Sequence, residues 1–302
     1  MTDTRVSLIG CDIDGTLLRS DSSVSQRTLA ALALASSAGV PVCLVTGRRI
    51  DSTVPVARRL GLTAPCVAHC GAAIVDPVSD SVIDSTHIDR GIAVSVCELA
   101  HAAGASVAVY QNLHRGRHVL VTGTAELQHA AEHWPSLAQV CRLVDDYEHA
   151  CMWHPLQITV FGPPASVRRF LCELRVRHGD DVFSVDYGAS EGGVALADVL
   201  SGGVNKGRGL AVVAAMYGVP NTQVAAFGDS VNDREMLAYA GLPVAMANAA
   251  DDVKALAAMV APSCDDDGVA ATIEALANRG MLGDASPAER RTSMPKISEQ
   301  LR

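Results

Sequence analysis

Short apolar runs alternate with longer helical patterns over the first part of the chain. A run from Val6 to Gly10 predicts a buried strand, and an Ala- and Leu-rich segment from Ser25 to Ala38 predicts a helix that ends at Gly39. The pattern then repeats as a strand, a helix and a third strand, over Val40–Val45, Ser52–Leu60 and Pro65–Ala68. This β-α-β-α-β order predicts a parallel sheet with helices on both faces.

The middle of the chain departs from this regular alternation. Helical patterns at Gly91–Ala103 and Ala165–His178 are interleaved with strand patterns, and His, Trp and Tyr are concentrated in this region. We therefore expect residues 86–189 to form a separate α+β domain that is inserted into the first domain.

The parallel pattern returns after the insert. Strand-like and helical segments follow one another again, over Val194–Ala197, Lys206–Tyr217, Val224–Phe227, Asp233–Ala240, Leu242–Ala245, Asp251–Ala258 and Gly268–Ala277. The sequence thus predicts a discontinuous core of residues 1–85 and 190–278. Residues 279–302 are polar and contain two prolines, which predicts a flexible C-terminal tail.

Composition and charge narrow the class of protein. The chain has 302 residues, of which 49% are hydrophobic and 19% charged, as expected for a globular protein with a sizeable core. A net charge of −9 argues against a nucleic-acid partner, and it requires any phosphate site to carry its own local positive charge. The nine cysteines are scattered without a C-x-x-C pair, which indicates free thiols. With no signal-peptide pattern and no long apolar stretch, we expect a cytoplasmic protein that does not span a membrane.

Two carboxylates follow the first predicted strand, in the sequence Asp12-Ile13-Asp14-Gly15-Thr16. Ligands of open parallel sheets bind outside the carboxyl ends of the strands. Two carboxylates that point into one site repel each other and need a cation, and Mg²⁺ prefers oxygen ligands. An acidic turn without a function is the alternative for so short a pattern.

A second acidic motif, Gly228 to Asp233, follows the strand predicted over Val224–Phe227 and repeats this arrangement. Asp229 is the natural further metal ligand, Asn232 can donate to a phosphate, and Asp233 can orient a metal-bound water. The alternative is an Asp-rich helix N-cap.

Two further motifs offer groups that bind phosphate. Thr46 and Gly47 come at the end of a predicted strand and offer a hydroxyl and backbone N–H groups, unless Thr46 is a plain N-cap. Lys206 opens a predicted helix, where its charge opposes the helix dipole. A bound phosphate or an aspartate cluster must compensate that charge, unless Lys206 is a solvated surface residue. Together the four motifs supply a nucleophile, a metal site, phosphate donors and a lysine.

With these motifs in this order, the sequence resembles the haloacid dehalogenase (HAD) superfamily and, within it, the Cof-like (type IIB) phosphatases. The resemblance covers about residues 5–277 and rests on Asp12 to Thr16, Thr46-Gly47-Arg48, Lys206 and Gly228 to Asp233. It implies a Rossmann-like doubly wound parallel sheet core with an inserted α+β cap domain of the C2 type. Related proteins usually carry Asn-Gly after the third strand, where this chain has Cys70-Gly71, so no substrate contact of that Asn is carried over.

The resemblance also implies a Mg²⁺-dependent phosphatase that acts on a small phosphorylated metabolite, such as a sugar phosphate. Asp12 is expected to be the nucleophile that forms an aspartyl-phosphate, and Asp14 the general acid and base. The metal ligands it implies are the Asp12 carboxylate, the Asp14 backbone carbonyl and the Asp229 carboxylate, with Asp233 behind a water. The phosphoryl oxygens are expected to be held by Thr46, Gly47, Lys206 and Asn232.

Two alternative functions stay open for this set of motifs. A phosphotransferase or phosphomutase would use the same core and pass the phosphoryl group to a sugar instead of water. A non-catalytic protein that binds a phosphometabolite would be expected to have lost Asp12 or Asp14, and both are present.

Four other patterns have simpler explanations. The H-x-x-E-H pattern at His129–His133 lacks an evident third zinc ligand and indicates a solvated helix face. Cys66 and Cys70 are expected to be buried thiols. The basic cluster at His114–His118 is either an exposed loop or a cap loop that meets an anionic substrate. The run Asp265–Asp267 indicates the acidic start of a helix.

Overall fold

The computed structural model describes residues 5–111, 119–124, 127–128, 131, 139–190 and 192–283. The chain forms two compact units, one of Met1–Asp84 and Lys206–Arg302 and the other of Ser85–Asn205. We call the first the core unit and the second the insert unit.

The described helices and strands follow one another in three stretches of chain. The first contains β1 (Leu8–Cys11), α1 (Gln26–Ser37), β2 (Val42–Leu44), α2 (Ile50–Arg59), β3 (Cys66–Ala68), β4 (Ala73–Val75) and β5 (Val82–Ser85). The second contains α3 (Arg90–Ala102), β6 (Ser106–Tyr110), β7 (Val119–Val121), β8 (Cys141–Leu143), α4 (Tyr147–Ala150), β9 (Gln157–Gly162), α5 (Pro164–His178), β10 (Val182–Ala189) and β11 (Ala195–Ser201). The third contains α6 (Lys206–Met216), β12 (Val224–Gly228), α7 (Arg234–Tyr239), β13 (Leu242–Met246), α8 (Asp251–Lys254), β14 (Met259–Ala261) and α9 (Gly268–Asn278).

The core unit is built on a five-stranded parallel sheet in the order β14-β13-β12-β1-β2. Successive residues of each strand point to opposite faces. Ile9 packs with α1, α2 and α9 on one face, and Leu8 packs with α6 and α7 on the other. The predicted fold class is therefore confirmed: a doubly wound parallel sheet with an additional sheet-and-helix region. β1 lies between β2 and β12, and later strands are added on both sides of it. Such folds bind ligands at the carboxyl ends of the strands where the strand order switches in this way.

A small second sheet in the core unit contains β3, β4 and β5, in that order. β3 and β4 are antiparallel, and a single parallel bridge joins Val45, just after β2, to Val67 in β3. This bridge brings the turn after β3 beside the end of β2, where the Cys70 backbone N–H donates to the Thr46 carbonyl (3.0 Å).

The insert unit is an α+β unit with a six-stranded sheet in the order β10-β11-β9-β6-β7-β8. Each described pairing in it is antiparallel except that of β7 with β8. Buried side chains of α3 and α5, such as Val96 and Phe170, share an apolar cluster with Val109 and Val160 of the sheet.

The predicted end of the insert at residue 189 is wrong. The segment expected to be a core strand, Val194–Ala197, belongs to β11, which pairs antiparallel with both β9 and β10. The chain returns to the core unit only at Lys206. A short apolar run satisfies the needs of a buried strand in either sheet, so its pattern does not say which sheet it joins.

The predicted start of the tail at residue 279 is also wrong. The Val6 backbone N–H donates to the Met281 carbonyl (2.8 Å), and the Gly283 N–H donates to the Val6 carbonyl (2.9 Å). These bonds attach residues 281–283 to the core unit. The remainder, 284–302, lies outside the described residues, as do the basic cluster His114–His118 and four of the five residues of the H-x-x-E-H pattern.

The expectations for cysteines and for membrane spans can be compared with the same structure. All nine cysteines are free thiols, and eight of them, including Cys66 and Cys70, are buried as predicted. None of the helices in the described part of the chain combines the length and the apolar character that a membrane span requires.

Phe170 tests whether the apolar cluster of the insert unit stabilises it as the packing indicates. Its side chain is fully buried, whereas Val176 on the same helix is 89% exposed. We expect Phe170→Ala to lower the free energy of unfolding by about 3–5 kcal/mol and the control Val176→Ala to change it by less than about 0.5 kcal/mol. Urea unfolding followed by circular dichroism measures both. Equal losses in the two variants would contradict this packing.

Candidate active site

Two acidic motifs meet because their strands are neighbours in the parallel sheet. β1 and β12 pair in register, with Cys11 opposite Phe227, and the Asp12 backbone N–H donates to the Phe227 carbonyl (3.0 Å). The residues that follow both strands, Asp12 and Asp229, therefore emerge at the same edge of the sheet.

Three carboxylates form what we call the acid cluster: Asp12, Asp229 and Asp233. One oxygen from each lies within 4.8 Å of the other two. It is the one group of three or more His, Cys, Asp or Glu side chains with metal-binding spacing in the described part of the chain. Asp12 and Asp233 are buried, and Asp229 is half-buried.

Lys206 lies inside this cluster. Its Nζ donates to Asp12 Oδ1 (2.8 Å) and to Asp233 Oδ1 (2.7 Å), and its side chain is 1% exposed. Lys206 is the first residue of α6, where its charge opposes the helix dipole. The sequence predicts that either a bound phosphate or an aspartate cluster compensates this charge, and the structure contains the aspartate cluster.

Asp233 is held in place by the backbone that follows β12. Its Oδ2 accepts from the backbone N–H groups of Asp229 and Ser230, at 3.0 Å each. A Cβ on Gly228 would lie 2.5 Å from the Asp233 Cβ, so only glycine fits at this position without displacing Asp233. The alternative explanation of this motif as an Asp-rich N-cap therefore does not account for all the contacts of Asp233, which also include the Lys206 ammonium.

The electrostatics of the acid cluster favour a cation. Three carboxylates face one ammonium group, so two negative charges are left over if all four groups are ionised. Burial raises the pKa of Asp12 to about 8 and that of Asp229 to about 6. Burial alone would lower the pKa of Lys206, but Asp12 and Asp233 outweigh it and raise that pKa. Clustered carboxylate oxygens are the ligands of hard divalent cations, so the donor set fits such an ion.

Asp14 lies outside the acid cluster and pairs with Arg48. Arg48 binds both of its carboxylate oxygens, through Nε to Oδ2 (2.6 Å) and through Nη2 to Oδ1. The Asp14 side chain is 59% exposed and that of Arg48 27%. The Asp14 carboxylate is thus exposed to solvent, whereas Asp12, two residues earlier, is buried.

Thr46 and Gly47 follow β2 at the same edge of the sheet. Thr46 is buried, and its hydroxyl accepts from the Arg48 backbone N–H (3.1 Å). The N-cap of α2 is Arg49, so the explanation of Thr46 as a plain N-cap does not hold. Gly47 is half-buried in the bend between Thr46 and Arg48.

Cys70 joins the Thr46 segment to the second acidic motif. Its backbone is left-handed (φ 50°) and donates to the Thr46 carbonyl, and its thiol accepts from Asn232 Nδ2 at 3.9 Å. Asn232 lies in the 3₁₀ turn Val231–Asp233, directly before Asp233. The two residues predicted to bind phosphate in separate motifs, Thr46 and Asn232, are therefore connected through Cys70.

Two contacting residues at this edge were missed by the sequence analysis. Thr16 Oγ1 donates to Asp229 Oδ1 (2.7 Å), and Asn248 Nδ2 donates to the Gly15 carbonyl (2.8 Å). Thr16 belongs to the first motif, but the motif alone assigns it no role. Asn248 follows the apolar strand β13, and its position beyond a parallel strand is the signal that could have identified it.

The acidic run at residues 265–267 lies at the start of a helix, as predicted. Asp267 is the N-cap residue of α9, and it also pairs with Arg19 (2.8 Å). Asp265 accepts from the backbone N–H and the hydroxyl of Ser20.

Comparison with known proteins places this geometry in a family. A family model of haloacid dehalogenase-like hydrolases matches residues 9–273. The 5-amino-6-(5-phospho-D-ribitylamino)uracil phosphatase YitU of Bacillus subtilis is 28% identical, and the match covers 89% of this chain and 96% of that protein. The pyridoxal phosphate phosphatase YbhA of Escherichia coli is 29% identical, over 88% of this chain and 96% of that protein.

A solved structure agrees with these relatives. The HAD-superfamily phosphatase BT1666 of Bacteroides thetaiotaomicron superposes with a TM-score of 0.76 at 26% identity. The superposition covers 92% of this chain and 96% of that one.

Lys206 tests the charge balance of the acid cluster. Replacing it with methionine leaves Asp233 buried without its counter-charge and removes the hydrogen bond to Asp12, so in EDTA we expect Lys206→Met to lower the free energy of unfolding by about 3–5 kcal/mol. Lys254 is more exposed and lies 3.8 Å from the fully exposed Asp251. We expect the control Lys254→Met to cost less than about 0.5 kcal/mol in the same urea titration. If Lys206→Met lowered the free energy of unfolding no more than the control does, Lys206 would not be the group that balances the charge of the acid cluster.

The raised pKa of Asp12 makes the stability of the metal-free protein depend on pH. From about pH 5 to about pH 8, Asp12 is ionised in the unfolded chain but keeps its proton in the folded chain, so rising pH favours unfolding. In EDTA we expect the free energy of unfolding of the wild type to fall relative to that of Asp12→Asn, by up to about 1.4 kcal/mol per pH unit. Urea unfolding of both proteins across this range measures the difference. A wild-type free energy of unfolding that stays constant or rises relative to that of Asp12→Asn as the pH increases would show that the Asp12 pKa is not raised.

Proposed function

This chain belongs to the haloacid dehalogenase-like hydrolases, among the Cof-like phosphatases, and we propose that it hydrolyses a small phosphorylated metabolite with Mg²⁺ through an aspartyl-phosphate on Asp12. The observation that carries the proposal is the acid cluster, with Lys206 inside it, at the edge of the sheet where β1 and β12 end. Clustered carboxylates can bind a divalent ion, and an ammonium group beside them can bind a phosphate oxygen.

Asp12 is the nucleophile in this proposal. Lys206 donates to its Oδ1 and so restricts the position of that oxygen. In the first step an Asp12 oxygen forms a bond to phosphorus while the bond from phosphorus to the ester oxygen breaks. In the second step water attacks the aspartyl-phosphate, which releases inorganic phosphate and restores the Asp12 carboxylate.

Asp14 serves both steps as the general acid and base. In the first step it gives a proton to the leaving oxygen, and in the second it takes one from the attacking water. Its exposed position beside the turn that follows Asp12 suits a group that meets the leaving oxygen and the water in succession. Arg48 binds both carboxylate oxygens and so sets the orientation of Asp14.

The metal would be held by the Asp12 carboxylate, the Asp14 backbone carbonyl and the Asp229 carboxylate, with Asp233 acting through a water. When bound, Mg²⁺ supplies positive charge that offsets the charge of the phosphoryl oxygens and of the acid cluster. Thr16 supports this set because its hydroxyl holds Asp229.

The phosphoryl oxygens would be bound by the hydroxyl of Thr46, the backbone N–H of Gly47, the ammonium of Lys206 and the amide of Asn232. Thr46 and Asn232 are linked through Cys70, and Lys206 is linked to Asp12. Asn232 directly precedes Asp233, which also binds Lys206, so Thr46, Asn232 and Lys206 belong to one connected set of contacts that includes the nucleophile. Positional catalysis of phosphoryl transfer requires such a set of fixed donors.

A small phosphorylated metabolite is the substrate class that the relatives support. The names of two relatives specify a ribitylamino-uracil phosphate and pyridoxal phosphate, both of which are phosphate monoesters of small polar molecules. We propose the same class for this chain. A phosphotransferase would use the same residues, and release of inorganic phosphate without an added acceptor separates the two activities.

Asp12→Asn tests the nucleophile. We expect Mg²⁺-dependent release of phosphate from para-nitrophenyl phosphate by the wild type and, for Asp12→Asn, a loss of at least about 10³-fold in kcat, since amide oxygen is a poor nucleophile. The circular dichroism spectrum should be unchanged. The control Asp251→Asn, which alters a fully exposed aspartate of the same unit, should keep full activity. Turnover in Asp12→Asn equal to that of the control would rule out Asp12 as the nucleophile.

A further inference from the structure

Asn248 lies in the turn after β13 and uses both ends of its side-chain amide. Its Nδ2 donates to the Gly15 carbonyl (2.8 Å), and its Oδ1 accepts from the Cys264 backbone N–H (3.0 Å). Only one orientation of the amide satisfies both bonds, because a carbonyl cannot donate and an N–H cannot accept. Asn248 therefore connects the turn that follows Asp12 to the segment that precedes α9.

The turn that Asn248 holds is the one that lies against Asp229. Gly15 has a positive φ of 75°, and a Cβ at this position would overlap the Asp229 carboxylate. The next residue, Thr16, donates to the same carboxylate. A displacement of the Gly15 peptide would thus change the relation between Asp14, which precedes it, and Asp229.

The segment to which Asn248 connects this turn is itself attached to the chain that follows Thr16. Asp265 binds Ser20 (2.9 and 3.0 Å), and Asp267 binds Arg19 (2.8 Å). These contacts fix residues 19 and 20, beyond the turn. The Asn248 amide reaches the Gly15 carbonyl directly, next to Asp14.

We propose that Asn248 is a positioning residue for phosphoryl transfer, which holds the Gly15 peptide so that Asp14 keeps its place relative to Asp12 and Asp229. This proposal rests on the proposed function, in which the Asp14 side chain is the general acid and base and the Asp14 backbone carbonyl is a metal ligand. Misplacement of such a group by about 1 Å costs on the order of 10²-fold in rate.

Two substitutions at Asn248 separate the two bonds. Asn248→Ala removes both, whereas Asn248→Asp keeps an acceptor for the Cys264 N–H but loses the donor to the Gly15 carbonyl. Asn221 provides a matched control, because it is an exposed asparagine of the same unit whose Nδ2 donates to the Tyr239 carbonyl (3.3 Å). Asn221→Ala removes an amide-to-carbonyl bond that does not reach the turn of residues 14–16.

The experiment measures kcat and KM for para-nitrophenyl phosphate and, without substrate, the Mg²⁺ concentration that gives half of the thermal stabilisation produced by Mg²⁺. For Asn248→Ala and Asn248→Asp we expect kcat to fall by about tenfold or more with KM changed by less than about threefold. The half-saturating Mg²⁺ concentration should rise by about threefold or more, because the Asp14 carbonyl is displaced. Asn221→Ala should match the wild type in all three quantities.

Each outcome bears on one proposal or the other. Wild-type kcat and Mg²⁺ response in Asn248→Ala would overturn the positioning role. Full activity in Asn248→Asp with loss in Asn248→Ala would overturn it too, since the bond to Cys264 would then be the one that matters. A wild type that releases no phosphate would contradict the proposed function, and the Mg²⁺ titration would still decide whether Asn248 holds the turn.

Discussion

The burial of Lys206 among carboxylates is the constraint on which the rest of the core unit depends. A lysine side chain that is 1% exposed requires hydrogen-bond acceptors for its ammonium group, and the carboxyl groups of Asp12 and Asp233 provide them. In the sequence, Asp12 precedes the insert unit and Asp233 follows it. They meet because β1 and β12 are paired in a parallel sheet, so the fold and the charge arrangement require each other.

Close approach of backbones around the acid cluster is made possible by glycines. Gly228 leaves room for Asp233, and Gly15 leaves room for Asp229, each where a Cβ would meet a carboxylate side chain. Hydrogen bonds then fix what the glycines allow: Asp233 accepts from two backbone N–H groups, and Asp229 accepts from Thr16. These hydrogen bonds hold the carboxyl groups in place, and phosphoryl transfer requires such preorganisation.

The parallel core and the residues at its edge could be predicted from the sequence because both follow local rules. Asp12, Thr46 and Asp229 each come directly after an apolar run, and the ends of parallel strands share one edge. The residue at which the chain returns to the core unit could not be predicted. The sequence of β11 is typical of a buried strand, and such a strand fits either sheet. Asn248 has one local signal, its position after the apolar strand β13, but its contacts with Gly15 and Cys264 are distant in sequence and could not be predicted. The pairing of Asp14 with Arg48 likewise depends on where two turns lie in space.

The central claim is that Asp12 and Asp229 share one divalent cation at the position where phosphorus is attacked. Anomalous diffraction from crystals soaked in Mn²⁺, a stand-in for Mg²⁺ with the same preference for oxygen ligands, tests it most directly. The account predicts a single strong anomalous peak within coordination distance of the Asp12 and Asp229 carboxylates. An acid cluster that stays without a peak at saturating Mn²⁺, or a peak bound to other side chains, would contradict it.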